Sequence, residues 1–294
     1  MKAAAFEYSR PSTLDEACAL LAADDGARLI AGGQTLVPLM AMRLARPSRL
    51  IDIARIPGLA FVRDKGDEIV IGATTKQCAV EDDPLIRAKL PLLAKVMPHV
   101  GHTPTRARGT IGGSLANADP AAEIALVAVT LGATVAWREG GKASEAHVSE
   151  FIVGPMVTSL PQAACLTEAR FPIWNEQRIG VGFHEVNARS SDFAFVSAAA
   201  QIALDANGRC ARIALGIGAA AAFPIWVDAD ALIGSRVEEQ RVFAVVDAAL
   251  ANVETMDDLH ASAAYRKRAA RTLAVRAVTD AYKDAHRAEH ARRA

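Results

Sequence analysis

Two short segments have the residue types and spacing to hold an anion: Ala31-Gly32-Gly33-Gln34-Thr35-Leu36 and Thr110-Ile111-Gly112-Gly113-Ser114-Leu115. Paired glycines reach φ > 0 and carry no Cβ, so successive main-chain N–H groups can converge on one point. That is the arrangement a pyrophosphate needs. Thr35 and Ser114 add a hydroxyl shortly after each pair. Neither core contains Lys or Arg, so amide dipoles and a helix N-terminus must supply most of the neutralisation. Two ordinary tight turns are the competing reading, because glycine marks turns wherever they occur.

Other segments mimic chemistry without supporting it. Gly216-Ile217-Gly218-Ala219-Ala220-Ala221 matches a dinucleotide fingerprint, but Pro224 follows where a helix is required and the preceding strands read as antiparallel. Gly112-Gly113-Ser114-Leu115-Ala116 approximates a nucleophile elbow, yet ends in alanine and follows a polar, basic stretch instead of an apolar strand. His184-Glu185-Val186-Asn187-Ala188 lacks the second histidine of a zinc-binding helix. His99 and His102 read as loop histidines, and the basic run Arg266 to Arg276 as the solvated face of an amphipathic helix.

The elements around the two segments alternate. Arg28 to Ala31 reads as a strand, with Pro38 in the first turn of a following helix and Arg49 to Ile53 as a second strand. Glu68 to Ile71 reads as a strand, Thr75 to Asp82 as a short helix, and Pro84 to Met97 as a helix broken by Pro91. Thr103 to Asn117 is loop-like. Asp119-Pro120 reads as an N-cap opening a helix that ends by Gly132. Ala133 to Trp137 and Cys165 to Phe171 are strands. After about Asn175 come three strand-like runs, 179–187, 193–204 and 211–217, the last two joined at Asn207-Gly208, with helices after Pro224. The tail, 286–294, is polar and basic and is expected to fray.

Composition removes whole function classes. With 294 residues, 51% hydrophobic, the chain can bury a core and is too long for one comfortable domain. Lys+Arg 33 against Asp+Glu 33 gives no basic excess for nucleic acid. The longest apolar stretch, Ile124 to Trp137, is shorter than the roughly 20 residues of a membrane span. Cys18, Cys78, Cys165 and Cys210 are scattered, with no CxxC pair, which speaks against a zinc site, an iron–sulfur cluster or a disulfide framework here. A cytoplasmic location is the expectation.

The two glycine segments and their flanks resemble the FAD-binding medium subunit of the molybdenum hydroxylases, the class that includes carbon monoxide dehydrogenase, nicotine dehydrogenase and bacterial xanthine dehydrogenase. Residues 31–40, continuing through Arg43-Leu44-Ala45-Arg46-Pro47 and Leu50-Ile51-Asp52-Ile53, resemble the first flavin loop of that family. Residues 106–123 resemble the second. Leu166-Thr167-Glu168, Phe183-His184-Glu185-Val186, Asp192-Phe193-Ala194 and the helix bearing Tyr265-Arg266 are similar to later blocks. Ala107 and Ser191 depart from the asparagine and glycine common in relatives.

The resemblance implies an α+β fold: a two-part FAD-binding module of the vanillyl-alcohol-oxidase (PCMH) type, residues 1–55 and 56–175, then a small C-terminal domain, 176–294, with a three-stranded antiparallel sheet and helices. It implies that Ala31, Gly32, Gly33, Gln34, Thr35 and Leu36, with Thr110, Ile111, Gly112, Gly113 and Ser114, hold the pyrophosphate of a non-covalent FAD. Glu123 would meet the flavin's polar chain, Val100 and Leu166 would pack on its rings, and His184 stands at a flavin-contacting position. Asn117 and Asp119 would line the site, with helix capping the competing role for Asp119. No residue of this chain is implied as catalytic and none as a metal ligand. The function implied is electron transfer, with an iron–sulfur small subunit (2Fe-2S clusters) and a molybdopterin large subunit as partners and an external acceptor beyond. The alternatives are a self-sufficient FAD oxidoreductase with its own organic substrate, and a flavin-free partner-binding subunit.

Overall fold

The computed structural model describes residues 2–293, with side chains through 287. Its strands form three main sheets in chain order. The first has three parallel strands, with Arg49–Asp52 between Glu7–Ser9 and Arg28–Ile30. The second is antiparallel and has five strands: Val62–Asp64, Glu68–Gly72, Ala164–Pro172, Thr134–Glu139 and Lys142–His147 in spatial order. The third is also antiparallel: Ile179–Asn187, Ala194–Leu204, Cys210–Gly218 and Ile225–Val227. A small hairpin, Ile152–Gly154 with Val157–Thr158, stands apart.

The third sheet corrects the expectation of three strands. The fourth, Ile225–Val227, is only three residues long and follows Pro224, so it lacks the alternating run that marks a strand in sequence. Gly216-Ile217-Gly218 lies in an antiparallel strand and leads into bends, not a helix, so its fingerprint match is structural. The stretch 103–117, read as loop, contains two short helices, Thr103–Arg106 and Ile111–Asn117. The next helix starts at Glu123, not Pro120; Asp119 instead forms a turn in which its Oδ1 accepts the Ala121 amide at 2.9 Å. It ends at Gly132 with φ 67°, as expected of a left-handed C-cap. Pro91 splits its segment into Pro84–Lys89 and Pro91–Val96.

The helix Glu123–Leu131 is buried along its whole length, sharing a core with the second sheet and with Val181, Phe183 and Ala199 of the third. The C-terminal helix, Ala263–Arg293, covers the third sheet. Of the terminal segment expected to fray, the backbone is helical to Arg293; Ala294 and the side chains after 287 lie outside the described residues. The helix contacts the sheet through Ala270, Ala274, Ala277, Ala281 and Ala285, all fully buried. Small residues on both sides allow this approach: a Cβ on Gly182 would fall 2.8 Å from the carbonyl carbon of Ala277, and one on Gly180 2.8 Å from Ala285 Cα. Gly182→Ala should therefore destabilise the chain by about 2–3 kcal/mol through overpacking against backbone. Gly141→Ala, with open space around it, should change little. Urea unfolding of the two variants compares them directly.

Among the described residues, no helix is long and apolar enough to cross a membrane.

Candidate functional site

The first glycine segment joins the strand Arg28–Ile30 to the helix Leu36–Ala41. Gly33 has φ +68°, a left-handed conformation that glycine adopts without penalty. With that residue turned, the amides of residues 32–36 run unbonded: Val37 is the first to donate within the helix, to Gly33 O at 3.0 Å. Among the described residues no protein acceptor serves the five N–H groups before it. The Gln34 side chain closes the loop from within, donating from Nε2 to Gly32 O at 3.0 Å. Five consecutive free donors on a half-exposed loop form an anion-binding concavity.

The second segment lies directly against the first. A Cβ on Gly32 would be 2.8 Å from Gly109 Cα and inside the radius of Arg108 O. The two segments, far apart in sequence, therefore meet at a backbone-to-backbone junction. The second does not offer the same row of amides. Ile111 and Gly112 donate to Thr75 O and Ala73 O at 3.1 and 2.9 Å. Gly113 donates to Thr110 Oγ1 at 3.0 Å, and Ser114 to Thr110 O at 3.1 Å. Thr110 is thus the N-cap of the helix Ile111–Asn117. Gly112 has a packing role, since a Cβ there would lie 2.6 Å from Ala73 Cβ. The Thr110 hydroxyl is buried as this cap, and the Ser114 side chain is partly exposed.

Two cationic residues, Lys76 and Arg106, neither expected among the cofactor-binding residues, complete the junction. Lys76 donates from Nζ to Arg108 O at 2.8 Å, which places its ammonium at the meeting point of the segments. Arg106 is buried and fixes the segment from beneath: Nε and Nη2 pair with Glu81 at 2.6 and 3.1 Å, and Nη1 reaches Gly101 O at 2.8 Å. The Lys76 strand position, opposite Thr110 in an isolated bridge, was the sequence-remote signal that periodicity does not carry.

Beyond the junction, Glu123 opens its helix with only 8% exposure and no ion-pair partner among the described residues. Desolvation pushes its carboxyl up to about 8, aided by the nearby charges of Glu185 and Asp119. Glu185, not expected as a site residue, lies beside it. Its Oε1 meets His99 Nδ1 and Asn187 Nδ2, each at 3.2 Å, while its buried Oε2 has no partner. Phe183, two positions away on the same strand face, packs edge-on against His99 with centroids 4.8 Å apart. His184 points to the opposite face, where Nε2 lies 2.9 Å from Asp280 Oδ2 of the C-terminal helix. Strand alternation turns His184 away from Glu123 and turns Glu185 toward it. Val100 and Leu166 share one core cluster, at 7% and 4% exposure, so each has only a small face available. Asn117 donates to Met156 Sδ at 3.7 Å, in the turn of the small hairpin.

A flavin dinucleotide fits these residues. The free amides of residues 32–36 could meet a doubly charged phosphate pair, the absence of a Cβ at Gly32 lets the two segments approach, and a Glu123 carboxyl raised by burial would suit a hydroxylated chain.

Comparison with known proteins gives the family. Residues 4–174 match the family described as FAD binding domain in molybdopterin dehydrogenase, and residues 182–281 match the CO dehydrogenase flavoprotein C-terminal domain. The chain is 34% identical over 283 residues to the nicotine 6-hydroxylase medium subunit of Paenarthrobacter nicotinovorans, covering 96% of this chain and 99% of that one. It is 31% identical to the carbon monoxide dehydrogenase medium chain of Hydrogenophaga pseudoflava, covering 94% and 97%. Among solved structures, carbon monoxide dehydrogenase from Hydrogenophaga pseudoflava superposes with a TM-score of 0.92 at 30% identity, over 97% of this chain and 99% of that one. Quinoline 2-oxidoreductase from Pseudomonas putida 86 superposes with a TM-score of 0.91 at 32% identity and the same coverage. The chain belongs to the family of FAD-binding medium subunits of the molybdenum hydroxylases.

Proposed function

We propose that this chain is the flavoprotein subunit of a molybdenum hydroxylase complex, passing electrons from an iron–sulfur subunit through FAD to an external acceptor. The single observation that carries this is the junction of the two glycine segments, where the unbonded amides of residues 32–36 adjoin Arg108 and Gly109. FAD, when bound, supplies the redox chemistry, taking electrons singly and releasing them singly or in pairs. The protein binds and orients it. The amides of residues 32–36 donate to the pyrophosphate, Lys76 offsets charge, the hydroxyls of Thr110 and Ser114 border the same space, and Glu123 faces the polar chain. Asn117 and Asp119 border that chain, and Val100 and Leu166 present their small exposed faces to the ring system. The molybdopterin and 2Fe-2S clusters reside in partner subunits.

The first two sheets, with boundaries near residues 55 and 175, form the two halves of a PCMH-type module, and the remainder forms a C-terminal unit. Scattered cysteines and a charge-balanced surface support a cytoplasmic complex. The purified chain should carry extractable, non-covalent FAD in equimolar amount. Its flavin should bleach when the substrate-reduced partner subunits are added, and stay oxidised with small organic reductants alone. A colourless chain would favour the flavin-free alternative, and substrate-driven bleaching of the isolated chain the self-sufficient one.

A further inference from the structure

Glu185 carries a buried carboxylate oxygen that no group of the chain serves. Its side chain is only 9% exposed, and Oε2 has no hydrogen-bond partner among the described residues. Native structures leave few buried polar atoms unpaired, because each one forfeits its hydration for nothing. Two other carboxylates also have a buried free oxygen, but each is paired with an arginine: Glu176 with Arg212 and Asp247 with Arg271. Glu185 has no Lys or Arg partner among the described residues.

The rest of the group is fixed. Oε1 meets His99 Nδ1 and Asn187 Nδ2, each at 3.2 Å; a carboxylate oxygen only accepts, so both nitrogens donate. The His99 ring packs edge-on against Phe183, and Asn187 Nδ2 also reaches Asp192 O at 3.5 Å. Oε2 is therefore a preorganised acceptor held in one orientation. Its surroundings define what it can take. Val181 and Phe183, on the same strand face, enter the core that holds Val100, Leu166 and Ile124. The charge of Glu185 reaches Glu123, the residue before Ile124, yet the two carboxyls make no hydrogen bond to each other. An anion such as phosphate is repelled by such an oxygen, and an apolar ring face leaves it unpaired. A hydroxyl satisfies it, since a hydroxyl donates to one carboxyl while accepting from another.

We propose, on the reading of the chain as the FAD-binding subunit, that Glu185 is a further cofactor-binding residue: its Oε2 accepts a hydrogen bond from the hydroxylated ribityl chain, and His99 and Asn187 are the positioning residues that aim it. The orphaned oxygen then gains the partner that the chain does not supply.

The test uses the full chain, stripped of flavin and titrated near pH 7 with FAD and with a dinucleotide analogue whose ribityl chain is replaced by an unsubstituted five-carbon chain. In Glu185→Gln the amide oxygen stays with His99 and Asn187, and an NH2 group stands where Oε2 was, so a charged acceptor becomes a neutral donor. FAD affinity should fall about tenfold, while the analogue binds wild type and variant equally, so that the preference for FAD shrinks by the same factor. The urea midpoint of the flavin-free variant should equal or exceed that of wild type, because a buried carboxylate without a cation has been removed. A variant that fails to fold or unfolds at lower urea would assign Glu185 a structural role and overturn the proposal. Equal FAD affinity in the two proteins would overturn it, as would a loss shared by the analogue, which places the contact on the ring or the phosphates. Tighter FAD binding by the variant would do the same. A wild-type chain that takes up neither dinucleotide would instead overturn the flavoprotein reading, leaving the two failures separate.

Discussion

Gly32→Val yields a folded chain that no longer retains FAD. The substituted Cβ would sit 2.8 Å from Gly109 Cα and overlap Arg108 O, and both neighbours are main chain, with no rotamer to yield. The two segments must move apart, which displaces the free amides of residues 32–36 and the Lys76 contact to Arg108 together. Preorganised donors lose most of their value when displaced by about 1 Å. Flavin affinity should fall at least a hundredfold, about 2.7 kcal/mol or more. The loop is half-exposed, so the melting temperature of the flavin-free chain should change by only a few degrees. Gly33→Ala tests the same loop more gently: it places a side chain at φ +68°, a penalty of about 1–2 kcal/mol without a backbone collision. Its affinity loss should be about tenfold. The ratio of flavin to protein absorbance after gel filtration, with fluorescence titration of the stripped proteins, orders the three. Normal flavin retention in a folded Gly32→Val chain would remove these segments from the cofactor site.

Gly112→Val also removes flavin, by another route. Its Cβ would strike Ala73, so the helix Ile111–Asn117 lifts from the second sheet and stability falls with binding. From sequence the two Gly-Gly pairs look alike, because composition records the absence of a Cβ and not its reason. In the first pair the glycine admits another loop and frees a row of amides; in the second it admits a strand end, and the amides are used internally. The later strand shows what was readable. Gly180 and Gly182 lie against the C-terminal helix, and alternation places His184 on their side and Phe183 and Glu185 on the other. That parity is present in the residues 180–185 once one face is assigned. Assigning it required the alanine series 270, 274, 277, 281 and 285 to be recognised as the partner, a contact across most of the C-terminal unit. Lys76 was invisible for the same physical cause, and Arg106 was seen only as part of a motif: their contacts arise between segments distant in sequence. Ser191 adopts φ +62°, a left-handed conformation that its residue type does not announce.

Glu123 should make the stability of the flavin-free chain fall as pH rises from about 5 to 8. In the unfolded chain its carboxyl ionises near its ordinary 4.5, whereas burial in the folded chain, with Glu185 and Asp119 close by, holds the proton up to about 8. Below the lower value both states are protonated and the contribution is complete. Between the two, the unfolded state sheds a proton the folded state keeps, and stability declines; above the upper value the loss levels off. The helix N-terminus favours the anion, but by no more than about 2 kcal/mol, less than the desolvation of a carboxylate with no cation beside it. The span between the two values corresponds to about 3–5 kcal/mol. Glu123→Gln, neutral at every pH, removes this slope, so the difference between variant and wild type in urea should widen from pH 5 to pH 8.5. Glu185→Gln withdraws one neighbouring charge and should shift the decline to lower pH. Flavin binding is expected to follow the same proton, because an ionised Glu123 would add a negative charge to a site for an anionic cofactor. Wild-type FAD affinity should drop between pH 7 and 9, and that of Glu123→Gln should stay level. Parallel pH curves for the two proteins, in stability and in binding, would mean that Glu123 is ionised throughout and that a cation supplied by neither loop compensates it.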